Sequence, residues 1–399
     1  MKLLQYELKK LLYNKRSFFF ILSLALFYIG IGMGHGLFTF KEDASFTEYS
    51  QLAKEVAGPK QDKFAKDATT KMNELFSVLG SSHQVMKTSS KDSLTKLYFN
   101  YYQYLARVDA YYNGAETDDT DEYTGILPLK KKVEELASEG KTDTYQYKKL
   151  KKQLDTQTEL GAPEFDNVVL WENLYEGWNG ILILILLFFP LAFLISPVFT
   201  KEVSTGMDNI ILSSANGRTS IVLAKLGAVS VTSMLLSIIY FASTFLGNFL
   251  PFMSIEGSSS HVRSLSFMAG SSLDMSIFSF ALLTVLWVTM AALVFGIIIT
   301  LLSSLLKNHA AVFGIGIIVL LFGMILESLG TEIVQQIQLF IDYCFKNTIS
   351  ISTIFGSFTY YNIFGFAIPY WLCSIIVFLA LSVSGFVALL YQQKRRTIA

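Results

Sequence analysis

The sequence predicts an all-α membrane protein with six transmembrane helices, an N-terminal amphipathic elbow helix and a helical extracellular domain. The first reason is composition: hydrophobic residues make up 52% and charged residues 16% of the 399 residues, far from an average soluble domain. The second is a set of six apolar runs long enough to cross a bilayer. The third is the charge distribution, because most charged residues lie between positions 41 and 176.

Crossing the hydrocarbon core takes roughly 20 mostly apolar residues in a helix, and six runs meet this requirement. They are residues 17–38, 180–199, 221–251, 277–306, 310–326 and 369–391. We therefore divide the chain into four parts. These are an elbow helix (1–16), a first span (17–40), an extracellular domain (41–176) and a region with spans two to six (177–399).

The basic residues near the span ends predict the orientation in the membrane. One side carries Lys2, Lys9, Lys10, Lys15, Arg16, Lys201, Arg218, Lys225, Lys307, Lys394, Arg395 and Arg396. The short connections on the other side hold only Arg263 and Lys346, with more acidic than basic residues. We therefore predict a cell-membrane protein with both termini in the cytoplasm and residues 41–176 outside the cell.

The N-terminal segment MKLLQYELKKLLYNKR is typical of a helix that lies in the membrane interface. Leu4, Leu8, Leu11 and Leu12 share one helical face, and the lysines lie elsewhere. A solvated cytoplasmic tail is the alternative. A cleaved signal peptide is disfavoured, because the following apolar run is longer than a usual signal core and no A-x-A-like cleavage site follows it.

The 41–176 region has the pattern of a small helical domain. Ser45 and Glu48 have capping-box spacing, and apolar residues recur at helical intervals in KFAKDATTKMNELFSVLG. A tyrosine cluster between positions 98 and 112 fits either a core or a binding surface, and its helical spacing favours the core. The acidic run ETDDTDEY fits a solvated loop better than a calcium site, because it lacks the EF-hand pattern.

Two further patterns concern helix packing at the membrane. The segment TEIVQQIQLFIDYCF has apolar residues at helical intervals, which predicts a short helix lying on the outer membrane face. The aromatic run after it leads into the last span. The stretch GIGMGHG contains two overlapping G-x-x-x-G spacings, which permit close helix packing either within the chain or between two copies.

The sequence lacks the residues that several kinds of chemistry require. The spans have almost no ionisable residues in their central turns, which disfavours a proton relay or an intramembrane enzyme. The four histidines are scattered, the two cysteines imply no disulfide framework, and no phosphate-binding loop is found. We therefore predict no catalytic residue, no metal site, no cofactor and no nucleic-acid partner for this chain. If ATP powers it, another chain must bind the nucleotide.

Charged residues recur between two apolar runs, in the stretch TKEVSTGMDNIILSSANGRTSIVLAK (200–225). Ile210, Ile211 and Leu212 lie together in its middle like the apolar face of a short helix, and Gly206 and Gly217 are turn residues. A plain connecting loop would not need this apolar triplet. The alternative is a cytoplasmic loop that rests on the lipid headgroups.

These features resemble the type-2 permeases of ATP-binding-cassette (ABC) exporters, in the bacterial branch with a large domain between the first two spans. The resemblance covers most of the chain, including the amphipathic start ELKKLLYNKRSFFF and the six spans. Its most specific part is the order of residues after the second span: Glu202, Gly206, Leu212, Arg218 and Lys225. The 41–176 region has no such residue-level match.

The resemblance implies that residues 200–220 form a coupling helix that docks in a groove of a separate ATPase subunit. The residues implied in partner binding are Glu202, Gly206, Asp208, Ile210, Ile211, Leu212, Arg218 and Lys225. The apolar triplet would supply contact area and the charged residues would supply pairing and register. The resemblance also implies two ATPase copies that bind ATP and Mg, and a second permease subunit, identical or related.

Apolar spans with few charges suit an amphipathic or hydrophobic cargo, such as a peptide, an antimicrobial or a lipid-like compound. The resemblance implies that such a cargo is exported by alternating access driven by the ATPase. The alternative is a membrane sensor or scaffold protein whose extracellular domain binds a ligand without transport. The sequence has no cytoplasmic output domain, which disfavours a free-standing sensor.

Overall fold

The computed structural model describes residues 2–40, 45–114, 125–207, 217–328 and 331–395. Almost all of its regular structure is helical, which confirms the predicted class. The helices that precede the second span are α1 (Lys2–Leu11), α2 (Lys15–Thr39), α3 (Phe46–Glu55), α4 (Asp62–Leu79), α5 (Ser82–Ser89), α6 (Ser93–Asn113), α7 (Ile126–Ser138), α8 (Tyr145–Leu160) and α9 (Val169–Trp178).

The second half of the chain contains five of the spans and a group of short elements before the last one. Its helices are α10 (Gly180–Ile183), α11 (Phe189–Ile195), α12 (Pro197–Thr205), α13 (Gly217–Phe249), α14 (Ile277–Leu305), α15 (His309–Glu327), α16 (Thr331–Asp342), α17 (Phe345–Ile349), α18 (Ile351–Phe355) and α19 (Tyr370–Arg395). A π-helical segment, Leu184–Phe188, joins α10 to α11. The strands β1 (Tyr360–Ile363) and β2 (Phe366–Pro369) form an antiparallel hairpin.

Six helical stretches have the length and composition of membrane spans, as the sequence predicts. They are Lys15–His35, Gly180–Thr205, Thr219–Phe249, Ile277–Leu305, His309–Glu327 and Tyr370–Arg395. The second, third and fourth spans are the most buried, and the first, fifth and sixth expose most of their apolar surface. We call the end of this bundle that carries both chain termini the terminal end, and the opposite end the domain end.

The predicted amphipathic helix is α1, which lies across the terminal end and packs on α13. Leu11 and Leu12 are buried and the lysines Lys2 and Lys9 are exposed, as the sequence pattern indicates. Asn14 caps the next helix by accepting a hydrogen bond from the Ser17 backbone N–H at 2.8 Å. The chain therefore turns from the interface into the first span within three residues.

The first and third spans cross in direct backbone contact. A Cβ atom on Gly32 would lie 2.6 Å from the carbonyl oxygen of Thr244, and one on Gly247 would lie 2.3 Å from that of Ile29. In contrast, a Cβ atom on Gly30 would have nothing within 4 Å. The glycine-rich stretch thus serves close packing within the chain through Gly32, which was one of its two interpretations.

The second span is interrupted where Pro197 begins α12. The Ser303 hydroxyl on α14 compensates for this break. It accepts hydrogen bonds from the backbone N–H groups of Phe199 and Thr200, at 3.0 and 3.3 Å, and donates one to the Ser196 carbonyl at 2.8 Å. Backbone groups freed by a proline must find such partners inside a membrane protein.

The helices α3–α8 form the predicted helical domain at the domain end. Tyr101 and Tyr104 on α6 are buried at its centre, so the core interpretation of the tyrosine cluster is confirmed for these two, whereas Tyr112 is exposed. The helix α3 begins after Ser45 as predicted, but the Ser45 side chain makes no capping hydrogen bond. The acidic run at 116–123 lies outside the described residues.

The segment between the fifth and sixth spans is more elaborate than the sequence predicts. The predicted short helix is present as α16, but α17 and α18 follow it and are largely buried, with Ile349 and Ile351 fully so. The β1–β2 hairpin was not predicted. It turns at Phe364 and Gly365, which both have positive φ angles, a geometry typical of two-residue hairpins.

Candidate functional site at the terminal end

The second span ends at Gly206, inside the segment 200–220 for which the resemblance implies ATPase coupling. Gly206 has a φ of 69° and its N–H contacts the carbonyls of Glu202 and Val203, so it caps α12 in the left-handed conformation. Glycine adopts this conformation without steric cost. Residues 208–216 lie outside the described part of the chain, and α13 begins at Gly217.

Lys225 on α13 lies at the centre of a buried ion network. Its ammonium nitrogen is 2.8 Å from Glu202 Oε1 on α12 and 3.3 Å from Glu7 Oε2 on α1. It also donates a hydrogen bond to the Val198 carbonyl at 2.6 Å, and it lies 4.9 Å from the centre of the Phe199 ring. The Lys225 side chain has no exposed surface.

Lys10 on α1 completes this network from the surface side. Its ammonium nitrogen is 2.6 Å from Glu202 Oε1 and 3.1 Å from Glu7 Oε1. Burial opposes the charge of Lys10, but the hydrogen bonds and charges of Glu202 and Glu7 outweigh it and raise the pKa of this lysine. We call Glu7, Lys10, Glu202 and Lys225 the base network. It contains two carboxylates and two ammonium groups, so its formal charge is zero.

The base network joins three helices that are far apart in the sequence. Each of its charges has an opposite charge at hydrogen-bonding distance, which offsets the cost of removing it from water. Removing one partner would leave a buried charge uncompensated, which is far more costly than losing an exposed ion pair. The arrangement therefore holds α1, α12 and α13 in one relative position.

The sequence-predicted partner-binding residues divide into two groups. Glu202 and Lys225 are brought together inside the protein, and in this conformation neither presents a surface to a partner. Asp208, Ile210, Ile211 and Leu212 lie outside the described residues, and the side chain of Arg218 is likewise not described. Direct contact of the second group with an ATPase stays a prediction.

Sequence reasoning missed two members of the base network, Glu7 and Lys10. The signal was present in α1, where Glu7 lies on the same helical face as Leu4, Leu8 and Leu11. A single carboxylate on an otherwise apolar stripe needs a buried cation as partner. Sequence alone could not identify that partner, because Lys225 is 218 residues away.

A groove of about 530 Å³ opens beside the base network, between α1, the lower part of the second span and the start of α15. Arg16, Lys201 and His309 line it together with apolar residues such as Phe193 and Met207. The part of the chain that the structure describes contains no cluster of His, Cys, Asp or Glu placed to hold a metal ion. The charged cluster of this region joins the helices on either side of residues 208–216.

Comparison with known families identifies the family of the chain. Residues 15–391 match the model of a family described as ABC-2 family transporter protein. The match extends from the start of the first span into the last one, and so includes the base of the second and third spans. A search of curated proteins finds no significant match.

Proposed function

Since the chain belongs to the ABC-2 family of transporter proteins, we propose that it is the permease subunit of an exporter powered by a separate ATPase. Two ATPase copies would bind ATP and Mg, and a second permease, identical or related, would complete the assembly. The termini would lie in the cytoplasm and the 41–176 domain outside the cell. Alternating access would then follow from rocking of the permease halves.

The base network is the observation that carries the coupling part of this proposal. Glu202 lies four residues before Gly206, and Lys225 lies eight residues after Gly217, so their ion pair joins the helices on either side of residues 208–216. Glu7 and Lys10 attach α1 to the same point. A movement imposed on residues 207–216 would therefore reach the second span, the third span and the elbow helix together.

We propose that Glu202 and Lys225 act as positioning residues, whereas Ile210, Ile211 and Leu212 make the contact with the ATPase. Burial supports the first assignment, because Glu202 and Lys225 are enclosed. The second assignment follows the resemblance and the apolar triplet. Gly206 and Gly217 would let the chain turn at either end, while Asp208 and Arg218 would set the register.

The cargo we propose is amphipathic or hydrophobic, such as a peptide, an antimicrobial or a lipid-like compound. The peripheral spans support this, because they present long apolar surfaces and few charges. Phe19, Leu26 and Phe27 on the first span and Leu379 and Val383 on the last one are exposed. Such surfaces suit contact with lipid, with an apolar cargo or with the second permease.

The test is co-purification of the full chain with its ATPase after Ile211→Asp, alone and with Leu212→Asp. An aspartate in a docking surface leaves a desolvated, unpaired carboxylate, so we expect at least tenfold less ATPase at equal membrane expression. Val78→Asp is the matched control, because Val78 is 80% exposed on the helical domain. That variant should retain the ATPase.

Normal co-purification and transport by the Ile211→Asp, Leu212→Asp double variant would show that the segment is a surface loop. The sensor or scaffold alternative makes a different prediction. In that case no ATPase co-purifies with the unmodified chain, and vesicles that contain the complex show no ATP-dependent movement of cargo.

A further inference from the structure

A second cavity, of about 850 Å³, lies at the domain end between the first span and the helical domain. Its floor is the upper part of α2, and α9 forms one wall. The helices α5 and α6 form the roof, which carries Lys87, Lys96 and Phe99. The cavity therefore extends from residues of the first span to charged residues of the domain, and its volume suits a small-molecule ligand.

Two carboxylates line this cavity, and one of them has a cationic neighbour within the protein. Glu172 Oε1 lies 3.8 Å from an Arg107 nitrogen and accepts a hydrogen bond from the Ser266 N–H at 2.9 Å. Glu176 lies 3.8 Å from His35 Nδ1 at an exposed rim position. Glu172 is therefore paired within the protein, whereas Glu176 is solvent-exposed, with 69% of its side-chain surface accessible.

The two lysines that line the roof have no carboxylate partner among the described residues. Lys87 is exposed toward the cavity mouth. Lys96 is only 7% exposed, donates a hydrogen bond to the Thr39 carbonyl, and lies 4.1 Å from the centre of the Phe40 ring. Burial lowers the pKa of Lys96 to about 7, as expected for an ammonium group without a counter-charge. An anion bound beside Lys87 and Lys96 would supply the missing counter-charge and would favour the protonated form of Lys96.

The floor of the cavity is apolar where it meets the first span. Ile31 and Gly34 line it there, and Val169 on α9 continues the apolar wall. Gly34 has no side chain to fill the space. Ile31 and Gly34 belong to the end of the apolar span Lys15–His35, so this part of the cavity adjoins the membrane-length part of α2.

We propose that this cavity binds an amphiphile with an anionic head, held between Lys87 and Lys96, and an apolar chain that lies along Ile31 and Gly34. Two chemical sources share this description: a two-chain anionic phospholipid of the membrane, and a single-chain anionic amphiphile. Binding would use the permease chain alone and needs no ATPase, so this site goes beyond the transport function proposed above.

The experiment measures lipid retention by the full chain, purified in a non-ionic detergent and analysed by native mass spectrometry. Phosphatidylglycerol and phosphatidylcholine are titrated in parallel, and dodecyl phosphate and inorganic phosphate are then added as competitors. We expect phosphatidylglycerol or dodecyl phosphate to bind roughly tenfold more strongly than phosphatidylcholine, because of the charge-assisted contacts. Inorganic phosphate, which has no chain, should not displace either of them.

The variant Lys87→Glu tests the head site, with Lys63→Glu on the exposed face of α4 as the matched control. We expect Lys87→Glu to weaken binding of the anionic probes by roughly tenfold, because it reverses the charge at the head. Gly34→Leu tests the chain site, since it places a side chain on the floor of the cavity, and should weaken both anionic probes.

The outcomes distinguish the two sources of the ligand and can contradict the proposed binding site. Retained phosphatidylglycerol supports the site and identifies a membrane lipid, whereas binding of dodecyl phosphate alone supports it and identifies a single-chain ligand. Equal binding of phosphatidylglycerol and phosphatidylcholine, or equal effects of Lys87→Glu and Lys63→Glu, would overturn the anionic head. Displacement by inorganic phosphate, or full binding by the Gly34→Leu variant, would overturn the chain site. All of these measurements are independent of whether the ATPase binds.

Discussion

The terminal end and the domain end of the bundle are held together by different kinds of contact. At the terminal end, four charged side chains converge on one buried point, and Lys225 contacts both carboxylates. At the domain end, hydrogen bonds are spread along the loop between the third and fourth spans. Arg107 donates to the Ser264 carbonyl at 2.9 Å, and Arg263 donates to the Gly161 carbonyl at 2.6 Å.

This difference indicates where the protein tolerates amino-acid substitutions. A distributed set of contacts loses little when one is removed, because the others keep the geometry. Removing one member of a concentrated charge network is costly, because a remaining charge then stays buried without its counter-charge. We therefore expect substitutions at the terminal end to have larger effects than those in the polar contacts of the domain end.

Replacement of the central lysine, Lys225→Met, should have the largest effect. It leaves Glu7 and Glu202 with only Lys10 as counter-charge, and we expect a loss of about 3–5 kcal/mol of stability. The measurement is the apparent melting temperature in detergent, with membrane expression recorded beside it. Lys201→Met, at an exposed lysine of the same region, is the control and should melt like the unmodified chain.

Adding Glu7→Gln to Lys225→Met sharpens this test, since it removes one uncompensated carboxylate. The double variant should recover part of the lost melting temperature. If Lys225→Met and Lys201→Met melt alike, the base network has no special role in holding the three helices.

An intermediate effect is expected from Gly247→Leu, in the half of the bundle near the domain end. Its side chain would begin 2.3 Å from the Ile29 carbonyl oxygen, so the first and third spans must separate. We expect a loss of roughly 1–3 kcal/mol, typical of overpacking. Gly30→Leu is the control, because a Cβ atom there meets nothing within 4 Å. Equal melting temperatures for the two variants would contradict the backbone crossing.

The smallest effect is expected from Glu256→Ala, which tests one of the distributed contacts. Glu256 pairs with Lys54 and accepts hydrogen bonds from Ser50 and, at 2.8 Å, from Asn167. Because Glu256 is partly exposed, we expect a loss of only about 1 kcal/mol at pH 7. Glu48→Ala, at an exposed position of α3, is the control and should have no effect.

The same contact predicts a pH dependence. Burial opposes ionisation of Glu256, but Lys54, Ser50 and Asn167 outweigh it and lower the pKa of this carboxyl. The unfolded state therefore binds the proton more tightly, so the contribution of Glu256 is complete above the usual glutamate range of about 4.3 and is lost as the pH falls below it. The difference in melting temperature between Glu256→Ala and the unmodified chain should therefore be smaller at pH 3.5 than at pH 7. A Glu256→Ala effect that is unchanged at pH 3.5 would contradict this.

Much of the fold could be predicted from local patterns. The six spans follow from the lengths of apolar runs, and α1 follows from the spacing of its leucines. The β1–β2 hairpin could not be predicted in the same way. Its turn at Phe364 and Gly365 lacks the usual asparagine or aspartate before glycine, and its aromatic residues also fit an interfacial segment. The buried helices α17 and α18 are too short to show a periodic pattern.

The sequence by itself determined which segments are apolar enough to cross the membrane, because hydrophobic length is a property of consecutive residues. It also determined that charge returns around residues 200–225. Only the tertiary structure decided that Glu202 and Lys225 face inward, since this depends on α1 crossing the base of the bundle and bringing Glu7 and Lys10 to them. Burying a charged side chain is costly unless a counter-charge lies beside it. That partner is chosen by helix packing, which local sequence patterns do not specify.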